Sequence, residues 1–292
     1  MRIVFHAGAH FTQGDRLLKS LMRNRDSFAA RSIALPGPAR YRPLFKNVFQ
    51  EAEGAPPVPD SREIILDAAL DNDRAETMIL SNDRFFGAVS EAVVDGRLYP
   101  DAPRRLQLLQ DIFDRDEIEL FLAVRDPATF LPAIRTELAS RMVPPDLLAG
   151  TDPRALRWSD PILRMRDAAP GIPITVWCNE DAPLIWPQIL RSMAGFQPDD
   201  PVEGGLDGLD EIMTGEGLER LQAYIDTLDS PSAAKVRRLS LAFLERFTDE
   251  DATVEEIDMP GWTEADIERL GAIYDEDIEA LQEADGVTVI FP

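Results

Sequence analysis

Near its start the chain reads His6-Ala7-Gly8-Ala9-His10-Phe11-Thr12-Gln13-Gly14-Asp15-Arg16, a run that places two glycines, two imidazoles and an arginine between a short apolar segment and a helix-like one. The chemistry this suits is anion binding. Where a strand turns into the first turn of a helix, backbone N–H groups and the helix dipole converge on negative charge. The spacing is not that of G-x-x-x-x-G-K-[ST], because five residues separate Gly8 from Gly14 and Asp15 stands where the lysine belongs. Thr12-x-x-Asp15 also fits a capping box, which would satisfy the helix N–H groups from within. The sequence therefore leaves both a liganded loop and a self-capped helix open. His6 and His10 straddle a strand end and a glycine loop rather than sharing a helix face, so no metal pair is expected. Cys178, the single cysteine, reads as an inert core thiol, and Trp158, Trp177, Trp186 and Trp262 as packing residues.

These residues need elements to position them, and the hydrophobic pattern supplies an alternation. Arg2–His6, Thr77–Ser81, Ile118–Val124 and Ile174–Cys178 are short apolar runs. Helix-like periodicity follows at 14–30, 104–113, 127–142 and 181–194. Strand-then-helix alternation predicts an α/β fold with a parallel sheet flanked by helices. In such sheets ligands bind beyond the carboxyl ends of the strands, which directs attention to residues 6–14, 82–86, 125–127 and 179–181. The Pro-rich stretch 55–60 and the Gly/Asp-rich stretch 197–210 read as surface loops, the second as a domain boundary. Residues 1–200 are thus expected to form the α/β core. Residues 201–292 are expected to form a mainly helical, acidic region packed on it as one unit, with helices at 218–228, 233–247 and 264–283 and a final run at 287–291.

Charge limits the partners. The 292 residues carry 30 Lys+Arg against 53 Asp+Glu, a formal net charge of −23. Its distribution is uneven: residues 1–50 hold nine bases against Asp15 and Asp26, while residues 201–292 hold 24 acids against six bases. The acidic third should repel nucleic acid and anionic membrane, whereas the basic first segment is suited to a small anion. No apolar run reaches the ~18 residues of a membrane span, and the apolar stretch at the start is shorter than a signal peptide's, so a cytoplasmic location is expected.

The segment HAGAHFTQGDRLLKSLMRNRDSFAARSIALPGPARYR resembles the opening of bacterial sulfotransferase-like proteins, H-I-G-x-x-K-T-G-T-T followed by a helix, N-R and a short strand near Y-P-G. The matching positions are His6, Gly8, Thr12, Asn24, Arg25 and Pro36-Gly37. The resemblance implies a P-loop-type fold that transfers a sulfuryl group from 3′-phosphoadenosine-5′-phosphosulfate (PAPS) to a hydroxyl or amine. It implies a cofactor cradle at Gly8, Ala9, His10, Thr12, Gly14 and Arg16, with Arg125 of Arg125-Asp126-Pro127 on the 3′-phosphate. It makes Asp83, in Ser81-Asn82-Asp83, the counterpart of the family's general-base Glu, with His10 beside the chemistry. Two departures run against turnover: Phe11 occupies the place of the charge-neutralising lysine, and Ala133 that of the 3′-phosphate serine. A lysine at the bridging oxygen offsets several kcal/mol of developing charge. The alternative expectation is a catalytically silent member of the fold that serves as a binding or interaction protein.

Overall fold

The computed structural model describes residues 1–52, 59–70, 74–141, 151–253, 257 and 259–292. In chain order these form β1 (Arg2–His6), α1 (Gly14–Arg23), α2 (Arg25–Ala29), β2 (Ile33–Ala34), α3 (Pro38–Glu51), α4 (Ser61–Leu70), β3 (Thr77–Ser81), β4 (Val93–Val94), β5 (Arg97–Leu98) and α5 (Ala102–Ile112). The chain continues through β6 (Glu117–Val124), α6 (Pro127–Ser140), α7 (Ser159–Ala168), β7 (Ile174–Cys178), α8 (Ala182–Ala194), α9 (Gly215–Asp226), α10 (Ala233–Phe247), α11 (Glu250–Thr253), α12 (Glu264–Gln282) and β8 (Val287–Ile290).

The predicted parallel sheet is present. Its order is β2-β3-β1-β6-β7-β8, every neighbouring pair runs parallel, and β1 lies inside with Val4 between Ile79 and Glu119. From β1 the chain crosses to β2 on one side, and from β3 it passes over β1 to β6 on the other. The direction of winding thus reverses around β1, which makes its carboxyl end the switch point where such sheets open a crevice. Alternation along the strands sorts the core into two layers. Ile3 and Phe5 face α3, α5, α6 and α12, while Val4, Phe121 and Trp177 face α1 and α8.

Local chemistry explains where the elements begin and end. Pro127 at the first helical position and the Asp126 side chain, which accepts from Ala128 N–H at 2.8 Å, start α6. Thr263 and Asp266 form a reciprocal capping box on α12, and Gly195 at φ 69 closes α8. The helix expected over 14–30 is broken at Asn24. This buried side chain donates to Ser20 O at 2.8 Å and exchanges two hydrogen bonds with the Glu203 backbone, so it serves a tertiary contact at the helix's expense. Sequence periodicity missed α3 and α4. Pro43 interrupts the pattern of α3, but Tyr41, Phe45 and Phe49, spaced four apart, are buried in an edge-on aromatic cluster with Phe5 and Phe85. Of the Pro-rich stretch, residues 55–58 lie outside the described residues, as does residue 142 at the end of the helix expected over 127–142.

Residues 201–292 are divided between two places. Helix α12 and β8 complete the main core, whereas α9 and α10 pack around Leu209, Met213 and Leu221 as a smaller cluster. The stretch expected as a surface loop and boundary, 197–210, is instead a strap across α1 and α8. Leu209 is buried, and a Cβ at Gly208 would fall 3.0 Å from Pro183 Cα and from the Trp186 ring, so close packing there requires glycine. Arg16, Arg23 and Arg31 reach Asp210, Asp207 and Asp200 at 3.3, 2.8 and 3.0 Å. Such exposed pairs contribute only ~0–1 kcal/mol each, so the apolar anchor carries more of the docking than they do. Among the described residues no helix is long and apolar enough to cross a membrane.

Candidate functional site

The loop after β1 folds back over the strand end. Ala7 N–H and Ala9 N–H bond to Phe121 O and Ala123 O of β6, each at 2.9 Å, so the chain stays in register with the sheet before it turns at Gly8, φ +50. Phe11, also left-handed at φ 59, completes the turn. Strain of this kind at a non-glycine residue costs about 1–3 kcal/mol and must be held by its surroundings. Two braces do so: Arg125 Nη1 donates to Phe11 O at 2.8 Å, and Asn179 Oδ1 accepts from Gln13 N–H at 3.2 Å.

The self-capped helix is not what forms. Thr12 Oγ1 donates to Ala9 O at 2.7 Å instead of capping, the Asp15 side chain is 86% exposed and 3.7 Å from Arg42, and Gln13 at the N-cap makes no side-chain cap bond. Among the described residues, no acceptor meets the N–H groups of Phe11, Thr12, Asp15 or Arg16. The reason is geometric: the tight turn at Phe11 commits the Thr12 hydroxyl to the loop's own carbonyl. Two of these donors belong to the first turn of the ten-residue α1 and two to the loop before it, at the positive end of the helix dipole.

His6 lies beneath this loop. It is 2% exposed; Nδ1 is 2.9 Å from Ser81 Oγ, and Nε2 is buried with no partner among the described residues. Ser81 Oγ–H has no other acceptor there, so it donates to Nδ1 and the proton of the neutral ring resides on Nε2. A Cβ at Gly8 would lie 3.6 Å from Nε2 and one at Gly14 3.6 Å from Cε1, so the two glycines border the space around this donor. Burial, assisted by the charge of Arg42, lowers the His6 pKa from 6.5 to about 4.

His10, 2% exposed, repeats the arrangement on the other side of the loop. Its backbone N–H donates to the Tyr99 hydroxyl at 2.9 Å and its Nδ1 lies 2.7 Å from the same oxygen. Among the described residues the hydroxyl proton has no other acceptor, which assigns it to Nδ1 and the ring proton to Nε2; that nitrogen too is buried and unpartnered. Burial lowers the His10 pKa to about 4, while Asp83 and Glu91 pull it up and Arg84 and Arg141 push it down. Asp83, half-buried at the end of β3, is thus within electrostatic reach of His10. Tyr99 itself sits at φ 42 and stacks on Trp158 at 6.0 Å. Tyr99→Phe should cost about 1–3 kcal/mol, the expense of stranding a buried N–H and an imidazole nitrogen, measured as a fall in the urea midpoint at constant slope. An unchanged midpoint would show that the hydroxyl does not support His10.

The residues singled out in the sequence therefore converge. Gly8, Ala9, His10, Thr12 and Gly14 form one loop, Arg125 straps it, and Asp83 stands beside His10. Arg16 is turned away to the strap, donating to Asp207 O at 3.0 Å and pairing with Glu211 at 2.9 Å; Gln13 Nε2 binds the same carboxylate. Arg125 is engaged with the protein through Phe11 O and Thr129 Oγ1. Sequence reasoning missed Tyr99 and Glu211, which come from distant positions without a local signal, and gave Ser81, quoted beside Asp83, no contact with His6; Asn179 lies in one of the loops flagged by strand position alone. Cys178 is buried, its thiol pushed up to about 12 by burial, in keeping with an inert role. Nearby Glu180 is also held above the ordinary carboxylate range by burial; it accepts from Asp126 N–H at 2.9 Å and from Tyr274 OH at 3.2 Å, joining α6 to α12. Among the described residues no group of His, Cys, Asp and Glu is placed to hold a metal. No protein-family model matches the chain, and no curated protein matches it.

Proposed function

We propose that this chain is a sulfotransferase-like protein that takes an anionic nucleotide of the PAPS type by its phosphosulfate end in the loop Gly8–Gly14. The single observation that carries this reading is the set of donors with no internal acceptor: four backbone N–H groups at the start of α1 and the buried Nε2 of His6, at the carboxyl end of the central strand. Of these, His6 Nε2 is the buried one, and buried polar atoms are otherwise paired, so it calls for an acceptor from outside; the backbone N–H groups belong to half-buried Phe11, Thr12 and Arg16 and to exposed Asp15, and stand with it at the same loop. When bound, PAPS would supply the sulfuryl group. On the protein side, the loop amides and His6 would orient the anion, His10 Nε2–H would donate beside them, and the Asp83 carboxylate would accept the proton of an acceptor hydroxyl or amine. His10 is the donor in this scheme rather than the base, because Tyr99 occupies its Nδ1.

The fit is to the phosphosulfate end. The Arg125 guanidinium is bonded inward to Phe11 O and Thr129 Oγ1, and Ala133 offers no hydroxyl for a 3′-phosphate. These observations, with Phe11 in place of lysine, favour the second reading, a silent member that binds the anion without turnover. Titration separates the two. Adenosine 3′,5′-bisphosphate at 100 times its dissociation constant should stabilise the fold by ~2.7 kcal/mol, seen as a rise in Tm. Release of the bisphosphate from PAPS with hydroxyl and amine acceptors would establish the enzyme; binding without release would establish the silent form. No shift with the bisphosphate, sulfate or ATP at millimolar concentration would remove nucleotide binding and leave the silent member as an interaction protein.

A further inference from the structure

An oxyanion at the loop after β1 calls for a compensating charge, and the donors of the loop carry no formal one. The amides are dipoles, and His6 and His10, with pKa values lowered to about 4, are neutral at pH 7. Arg16 is drawn to Asp207, Asp210 and Glu211, and Arg125 holds the carbonyl of Phe11 and the hydroxyl of Thr129. A guanidinium does stand at this end of the sheet, that of Arg42 on α3, and the ends of β1 and β3 fix its place. Ser81 is the register partner of His6; its carbonyl accepts from Arg42 Nε at 3.2 Å and Nη2 at 3.1 Å, and its hydroxyl lies 2.9 Å from His6 Nδ1. On its other side, Nη2 is 3.7 Å from Asp15 Oδ1 in the first turn of α1. Arg42 therefore bridges the strand end that supports His6 and the helix start that follows the loop.

Its partners leave it weakly engaged. The Ser81 carbonyl already accepts from the Tyr41 hydroxyl at 2.8 Å, so both bonds from the guanidinium are long and share one occupied oxygen. Asp15 lies beyond hydrogen-bond reach with its side chain 86% exposed, and Nη1 has no partner among the described residues. A guanidinium carries five N–H donors and binds most strongly when two of them meet two oxygens of one anion. We propose that Arg42 is the cationic contact of this site: it turns from Asp15 to a terminal phosphate or sulfate held by the start of α1 and His6 Nε2, and so selects ligands that end in a tetrahedral oxyanion. The inference rests on the anion reading of the loop and assigns its charge partner. Asp15 is then the counterion that the ligand displaces, a weak competitor because water and salt screen an exposed pair. The charge of Arg42 already acts on His6, where it assists burial in lowering the pKa.

The test uses the full chain with adenosine 3′,5′-bisphosphate and with sulfate, read by titration calorimetry. Arg42→Gln should weaken both ligands about tenfold or more and flatten the salt dependence of the affinity that remains. Arg42→Lys keeps the charge but not the planar fork, so its affinities should fall between those of Arg42→Gln and the unaltered chain. A second readout needs no ligand. Loss of the positive charge should raise the pH at which the His6 Cε1–H signal begins to shift, and Arg42→Lys should hold it near its original value, which a merely structural role for the side chain would not do. Urea midpoints close to that of the unaltered chain would show that the fold is intact, and Arg42→Lys serves as the test if Arg42→Gln does not fold. Bisphosphate and sulfate bound equally by the unaltered chain and by Arg42→Gln would overturn the assignment of Arg42 and leave the anion reading standing. A His6 titration unmoved by Arg42→Gln would overturn it too, since the guanidinium would then lie out of reach of the site. Binding of neither ligand to the unaltered chain would instead end the anion reading, and this inference with it.

Discussion

Acidification from pH 7 to pH 4.5 should remove several kcal/mol of stability, well before most carboxylates are protonated. The chain has two histidines, both buried at the loop after β1, and burial lowers each pKa from 6.5 to about 4. An unfolded imidazole takes up its proton near pH 6.5, whereas the folded one resists until about pH 4. Across that interval the unfolded state binds more protons, so falling pH favours it. At 1.36 kcal/mol per tenfold change in proton affinity, the gap corresponds to about 3 kcal/mol for each histidine, with the loss complete only below pH 4. The carboxyls of Glu180 and half-buried Asp181 have raised pKa values and work in the opposite sense, gaining stability as pH falls. The histidine contribution is therefore best isolated by NMR: two imidazole Cε1–H signals should stay at their neutral positions down to pH 5, while urea midpoints fall between pH 6.5 and 5. A signal titrating near 6.5 would show that its ring is hydrated rather than held neutral by burial, and would remove that histidine's share of the acid-induced loss.

The effect also explains how much of the site was legible in the sequence. Strand ends are visible as apolar runs, so β1, β3 and β6 end where the pattern puts them, and with them stand the loops that carry Gly8, Asp83 and Arg125. The partners of those residues were not visible, because each arrives from far along the chain. Tyr99 reaches His10 across 89 positions, Arg125 reaches Phe11 across 114, and Gln13 meets Glu211 across 198. Local rules even pointed the wrong way at Thr12 and Asp15, where a capping-box pattern lost to the turn at Phe11. The basic character of the first fifty residues misled in a similar manner. It reads as one field for anions, yet Arg16, Arg23 and Arg31 are engaged by the strap, away from the loop. Total charge is a property of composition, but which charges remain available is decided by tertiary pairing.

Gly8→Val should weaken anion binding at the loop by ~100-fold while leaving the sheet folded, and it is the sharpest single test of the cradle. At φ +50 a β-branched side chain is strained by about 1–2 kcal/mol or more, a penalty that glycine avoids. The Cβ itself meets Thr12 Oγ1 at 3.4 Å and His6 Nε2 at 3.6 Å, ordinary contacts, so the backbone is not forced apart. The added methyl groups would instead lie against Thr12 and His6 Nε2, where the proposed reading places the anion. Affinity for adenosine 3′,5′-bisphosphate or sulfate should drop by ~100-fold, equivalent to about 2.7 kcal/mol. The fold should lose roughly 2 kcal/mol and remain cooperative. Glu211→Gln provides the opposite sign. Removing the carboxylate that Gln13 and Arg16 hold beside the start of α1 takes a negative charge from the approach to the loop, and two like charges ~4 Å apart repel by about 1 kcal/mol in water and more at lower dielectric. Anion affinity should therefore rise about fivefold in that variant, with the gain fading as salt is added. If Gly8→Val left affinity unchanged, or Glu211→Gln lowered it, the anion would be bound elsewhere, and the donors around His6 would have to be assigned to buried water.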